Sequence, residues 1–207
     1  MTITEPGQNE CARSWWARLA AGAAVVVVLI ACVAGAVGMV AGRGAVLSQP
    51  TLSIANPRVV VLKSQRRLHL LDGDALVRSY AIDLGSVPDG QKVRGSDGRT
   101  PVGSFRVVTK NAESRYGRFL GIDYPDANAV EHGLSAGLIS LGEASSILAA
   151  HADGRCPDWG TALGGGIGIH GQRMGRDWTA GCIALSDEHV VELFDVLRIG
   201  DPVEILP

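Results

Sequence analysis

One long apolar run dominates the start of the chain. Leu19 through Gly42 carries no charged residue over 24 positions (42−19+1), enough to cross a hydrocarbon core as a helix. Arg13 and Arg18 precede it, Trp15 and Trp16 stand where interfacial aromatics sit, and Arg43 follows. That arrangement predicts the N-terminus inside and the rest of the chain outside. Three fates fit the run: a retained signal anchor, a cleaved signal peptide, or a lipoprotein signal in which Leu29-Ile30-Ala31-Cys32 presents Cys32 for lipidation. The anchor is favoured, because cleaved signals carry a shorter apolar region and this one continues past Cys32 to Ala41. The expected division is a cytoplasmic tail over 1–18, the membrane segment over 19–42, a linker over 43–56 and a folded domain over 57–207.

Within that domain the period shortens to two. Arg58 to Leu62 and Leu68 to Leu71 read as strands around a polar turn, and Asp72-Gly73-Asp74 turns the chain again. From Leu76 to Leu84 the apolar positions Leu76, Tyr80, Ile82 and Leu84 alternate with polar ones, with a break at Arg78. A long Gly/Pro/Asp loop covers 86–103, and Phe105 to Thr109 forms another strand. Two helices are expected. Ser140 and Glu143 have capping-box spacing, with Leu141, Ala144, Ile147, Leu148 and His151 on one face. A second helix starts at Ser186, with Asp187 and Glu188 in its first turn and Val190, Leu193, Phe194 and Leu197 as its apolar stripe. Gly200-Asp201-Pro202 stops it, and Val203 to Leu206 is a closing strand. The predicted class is mainly β with α: a β-sandwich-like core with helices at its edge.

Composition narrows the function. Net charge is −2 with no basic stripe, which argues against a nucleic-acid partner. His69, His132, His151, His189 and Cys156 show no metal-ligand spacing, and no metal or other cofactor is expected. Gly166-x-Gly168-x-x-Gly171 matches a dinucleotide fingerprint only formally, because it runs into a strand and a polar loop rather than opening a helix. Of the four cysteines, only Cys156 and Cys182 fall in the exported part. A disulfide between them would silence Cys182.

The chemistry concentrates in Gly164 to Ser186, GGGIGIHGQRMGRDWTAGCIALS. His170 and Cys182 lie 12 positions apart (182−170). A thiol attacks as its thiolate, and an imidazole in reach can take its proton and return it to a leaving amine. Gly171, Gly175 and Asp177 favour a chain reversal between the two, so Ile167 to His170 and Ile183 to Leu185 are expected to return side by side like a hairpin. Gly181 lets the backbone approach a substrate closely, and its amide and that of Cys182 are candidate donors to an oxyanion.

This stretch resembles the L,D-transpeptidase catalytic domains of the YkuD type. Ile169-His170-Gly171 followed by Asp177-Trp178-Thr179-Ala180-Gly181-Cys182-Ile183-Ala184-Leu185-Ser186 carries the likeness. Asp97 through Gly103 (DGRTPVG), Gly121 through Pro125 (GIDYP) and Gly200 through Ile205 (GDPVEI) agree in order. The resemblance implies a YkuD-like fold and a reaction on peptidoglycan stem peptides. In it a cysteine displaces a terminal D-alanine to form a thioester, and an amine of a second stem or of an envelope protein resolves that thioester. It implies Cys182 as nucleophile, His170 as base, the Gly171 carbonyl as orienter of the imidazole and the Gly181 amide as oxyanion donor. The alternative within the family is a hydrolase or carboxypeptidase that resolves the thioester with water. Two departures stand out: Ala180 replaces a second histidine, and Ala184 replaces an arginine. Thr179, Trp178, Arg173 and Arg176 are the substrate-binding candidates, the arginines because guanidinium suits stem-peptide carboxylates. Asp97 and Arg99 read most simply as a structural turn and ion pair.

Overall fold

Valine-rich alternation in the first strand sets the frame. A computed structural model describes residues 53–207; the apolar run over 19–42, its flanking Arg and Trp residues and Cys32 lie outside the described residues. Among the described residues no helix is long and apolar enough to cross a membrane.

β1 (Pro57–Leu62) buries Val59 and Val61 on one face, as a period of two requires. It pairs antiparallel with β2 (Arg67–Asp72) and parallel with the last strand, β8 (Pro202–Leu206). β3 (Ala75–Ala81) lies outside β2. Its register shifts between Leu70 and Leu71, so that Leu71 faces Leu76 while Leu70 faces Arg78. This bulge is the physical cause of the broken alternation at Arg78, and it leaves Leu76 exposed while Tyr80, Ile82 and Leu84 stay buried.

β4 (Gly103–Ser114) joins two halves of the sheet. Its first four residues pair with β8 and the rest with β5 (Gly117–Ile122). β6 (Gly168–His170) and β7 (Ile183–Ala184) continue beyond β5. The result is one eight-stranded sheet in the order β3-β2-β1-β8-β4-β5-β6-β7. Asp83 bridges to Ala184 and Gly85 to Thr179, so the sheet curls until the chain leaving β3 meets the β7 edge. A single curled sheet therefore replaces the two-sheet sandwich expected from the sequence.

Among the described residues there are three helices where two were expected in the domain. α1 (Ala127–Ser135) is capped by Asp126, whose Oδ1 accepts from the Ala129 amide at 2.9 Å. Its nine residues include Gly133, a weak helix former, which hid the pattern. Gly133 packs closely on Leu163 and Ile139. α2 (Leu141–Ala152) has both arms of the Ser140/Glu143 capping box. Its buried stripe is Ala144, Ile147 and Ala150; Leu141 and Leu148, expected on that face, are 77 % and 44 % exposed. The helix touches the domain along one narrow line, and Leu148 lies about 100° round the axis from Ile147. α3 (Asp187–Val196) buries Val190 and Leu193 as expected, with Phe194 only partly buried.

Candidate active site

The site grows from β6, β7 and the segment between them. β6 pairs antiparallel with β5 and parallel with β7, with Ile169 opposite Ile183 and His170 opposite Ala184. The expected hairpin-like return is thus a crossover: residues 171–182 loop round and re-enter in the same direction as β6. A 12-residue spacing allows either course, and side-chain contacts between the segment and residues outside it decide it. Buried Asp83 accepts from the amides of Met174 at 2.6 Å and Gly175 at 2.9 Å. Asp177 accepts from the Leu84 amide at 2.8 Å and pairs with Arg66. Asp187 accepts from the Gln172 amide at 2.8 Å. Gly171 is required by space, because a Cβ there would collide with Asp187 Oδ1 and the Tyr116 carbonyl.

In this register His170 and Ala184 share a face, and Cys182, two residues before Ala184, returns to that face. His170 and Cys182 both line a cavity of about 530 Å³, within the usual range for a small-ligand site. The His170 ring stacks on Tyr116 at 4.7 Å and meets Trp178 edge-on at 5.8 Å. Its Nδ1 lies 2.7 Å from the Gly171 carbonyl. A carbonyl only accepts, so this contact assigns the proton to Nδ1 and leaves the lone pair on Nε2. Burial pushes the His170 pKa below 6.5, against the opposite pull of the Gly171 carbonyl.

Cys182 is a free thiol, unpaired with Cys156. Its Sγ donates to the Gly166 carbonyl at 3.4 Å. Burial pushes the thiol up to about 11, with a backbone hydrogen bond at Gly168 and the Lys92 ammonium pulling the other way. At neutral pH the resting pair is therefore uncharged on both sides: an imidazole able to accept a proton, and a thiol that still holds one.

Thr179 organises the nucleophile's backbone. Its Oγ1 donates to the Cys182 carbonyl at 2.7 Å and accepts from the Gly181 amide at 3.1 Å. The Gly181 amide, expected to face an oxyanion, is thus occupied here, while the Cys182 amide has no hydrogen-bond partner among the described residues. Gly181 has φ +135°, and a Cβ would stand 2.6 Å from the Arg99 carbonyl, so only glycine fits.

Other candidates separate. Trp178 and Thr179 line the cavity; Arg173 and Arg176 do not. Arg173 is drawn away by an ion pair to Asp83 at 3.2 Å, and Arg176 is exposed on the crossover. Asp97 pairs with Lys92 Nζ at 2.8 Å and accepts from the amides of Val93, Arg94 and Arg99, so its ionic partner is Lys92 rather than the Arg99 side chain. Burial raises the Asp97 pKa, but Lys92 and those amides outweigh it and hold the carboxyl below its usual range. Lys92, Arg115, Tyr116 and Trp159 also line the cavity. Arg115 and Tyr116 come from the turn between β4 and β5, Lys92 and Trp159 from two other loops, and no local sequence pattern marks them. Among the described residues no three His, Cys, Asp or Glu side chains gather as a metal site.

Fold and site together define a mainly β domain in which a curled sheet presents a thiol and an imidazole to a ligand-sized cavity. The model of the L,D-transpeptidase catalytic domain, YkuD, matches residues 56–205, and the chain belongs to that family. A search of curated proteins found no match. Among solved structures, an L,D-transpeptidase from Xylanimonas cellulosilytica is 17 % identical, with TM-score 0.45 over 77 % of this chain and 65 % of that one. An L,D-transpeptidase from Mycobacterium smegmatis is 12 % identical, with TM-score 0.44 over 73 % and 59 %. The helical cell shape determining protein Pgp2 from Campylobacter jejuni is 20 % identical, with TM-score 0.47 over 72 % and 48 %. The chain thus spans between about half and two thirds of the length of these structures.

Proposed function

We propose that the domain is a cysteine L,D-transpeptidase that joins peptidoglycan stem peptides, or an envelope protein, to the wall through a thioester on Cys182. The observation that carries this reading is the placement of Cys182 and His170 on one face of the β6–β7 pair, lining one cavity, with His170 Nδ1 tied to the Gly171 carbonyl.

The steps follow from the protonation states. His170 Nε2 takes the Cys182 proton as Sγ bonds to the carbonyl carbon before a terminal D-alanine, and the carbonyl π pair moves to oxygen. In this reading the Cys182 amide, which has no partner among the described residues, donates to that oxyanion, a contact worth about 3 kcal/mol. Collapse breaks the C–N bond, and the imidazolium returns its proton to the departing D-alanine amine. In the second half an acceptor amine attacks the thioester and passes its proton to Nε2. The C–S bond breaks and the thiol is re-formed. Starting from two neutral groups avoids storing an ion pair in a buried site.

In this reading residues 19–42 tether the domain to the cytoplasmic membrane, with the site on the envelope side; lipidation at Cys32 or cleavage gives the other two forms. The test is acylation by a stem tetrapeptide or a carbapenem, followed by mass. Wild-type protein gains the acyl mass, and Cys182→Ala gains none. Acylation of Cys182→Ala equal to wild type would end the proposal. Muropeptide analysis with an acceptor present separates crosslinked dimers from freed tripeptides, the product of a hydrolase.

A further inference from the structure

The cavity wall carries two cations and, among the described residues that line it, no carboxylate. The first cation is committed. Lys92 is 3 % exposed, and its Nζ donates to Asp97 Oδ1 at 2.8 Å and to the Arg94 carbonyl at 3.1 Å. The second, Arg115, stands exposed in the turn between β4 and β5. Its backbone carbonyl accepts from Gln172 Nε2 at 2.8 Å, which fixes the turn, while its guanidinium has no hydrogen-bond or ion-pair partner among the described residues. The guanidinium carbon lies 4.7 Å from the centroid of Tyr116, and Tyr116 lies 4.7 Å from His170. Arg115 is therefore two ring steps, at most 9.4 Å, from the imidazole. Strand β7 supplies no competing cation, because the residue opposite His170 is Ala184.

We infer that Arg115 is the specificity residue for the donor, taking a carboxylate of the stem peptide in the two-pronged geometry that guanidinium favours. The inference rests on the transpeptidase reading above. Two carboxylates lie within about 4–7 Å of a scissile carbonyl, one or two residue lengths away: that of the terminal D-amino acid and that on the side chain of the diamino acid. With a hydrogen bond of about 3 Å to the guanidinium, either reaches up to about 10 Å from the scissile carbonyl, the scale of the separation between Arg115 and the imidazole. The cation–π contact with Tyr116 holds the guanidinium over the aromatic wall instead of letting it swing into solvent.

The experiment measures KM and kcat of acylation for three tetrapeptides: one with both carboxylates free, one with a C-terminal carboxamide, and one with an amidated diamino acid. Arg115→Met removes the charge but keeps a hydrocarbon stem on Tyr116. The wild type is expected to bind one of the two amides about 10- to 100-fold more weakly, through KM, the range for a lost charge-assisted pair. Which amide suffers identifies the carboxylate. Arg115→Met should bind all three alike, with kcat little changed. Equal KM for all three with the wild type, or a uniform loss for all three with Arg115→Met, overturns the assignment and leaves the transpeptidase reading intact. A wild type that forms no thioester with any of them overturns both.

Discussion

β1 and β2 run in register for six residue pairs, and β8 joins β1 over four more; β6 and β7, which carry the chemistry, are three and two residues long. The long ladders hold themselves by backbone hydrogen bonds and an alternating apolar face. The short ones lack that support. Their place is taken by polar side chains that reach into the loops: buried Asp83, half-buried Asp177 and exposed Asp187 on the crossover, Thr179 on the nucleophile's turn, and Asp97 with Lys92 under the 86–102 segment. One half of the sheet is stabilised by apolar burial, and the other by satisfied polar contacts whose removal leaves unpaired partners.

That contrast predicts different failures. The largest is expected at the Lys92–Asp97 pair, whose side chains are 2 % and 6 % exposed. Asp97→Ala strands a buried ammonium and three amides, and should lower stability by about 3–5 kcal/mol, read as a shift in denaturant midpoint. Restoring an apolar pair with Lys92→Met on the Asp97→Ala background should recover much of the loss. No recovery would mean that the backbone contacts of Asp97, rather than the ion pair, hold the loop.

Next comes a cut in the other half. Leu70 is fully buried in β2, and Leu70→Ala should cost about 3 kcal/mol through lost burial and a cavity. Acylation per folded molecule should stay at the wild-type rate, because Leu70 does not line the cavity. A drop in rate as large as the drop in stability would erase the distinction between the two halves.

Thr179 tests the site half at finer scale. Thr179→Val keeps the shape but removes the hydroxyl that joins the Gly181 amide to the Cys182 carbonyl. Acylation should slow about 10- to 100-fold, corresponding to one or two net hydrogen bonds, with Thr179→Ser close to wild type. An alternative outcome is informative: freeing the Gly181 amide could give the oxyanion a second donor, and a rate gain in Thr179→Val would reveal it.

The same division governs what could be read in advance. Strands with a period of two were legible, because Val59, Val61, Ile205 and Val203 announce their face by alternation. Cys182 and His170 were legible through their glycine-rich setting and the family resemblance. Tyr116, Trp159, Lys92 and Arg115 were not, since a cavity wall is assembled from positions with no common spacing. The direction of β7 was misread for a related reason: it depends on Asp83, about 90 residues upstream of the loop it anchors. Arg173, offered as a ligand for substrate, turned out to be part of that anchor.

The smallest expected effect concerns pH, and it follows from how dry the site half is. Burial lowers the His170 pKa below 6.5 and raises Cys182 to about 11. A base must be unprotonated to act, so acylation should hold at acid pH until His170 takes a proton, with the acid limb below 6.5. The thiol gives the opposite limb in a reaction that needs no base: alkylation by iodoacetamide should keep rising as pH approaches about 11. At neutral pH the thiolate fraction should be about 100-fold below that of a thiol with the ordinary value of 9.0. Trp178 is the control, because it packs edge-on against His170. Trp178→Ala should admit water, move the acid limb up toward 6.5 and bring the alkylation limb down, while Leu70→Ala should move neither. Limbs that stay put in Trp178→Ala would mean that the charges are set by the backbone contacts at Gly171 and Gly168 and not by the aromatic wall.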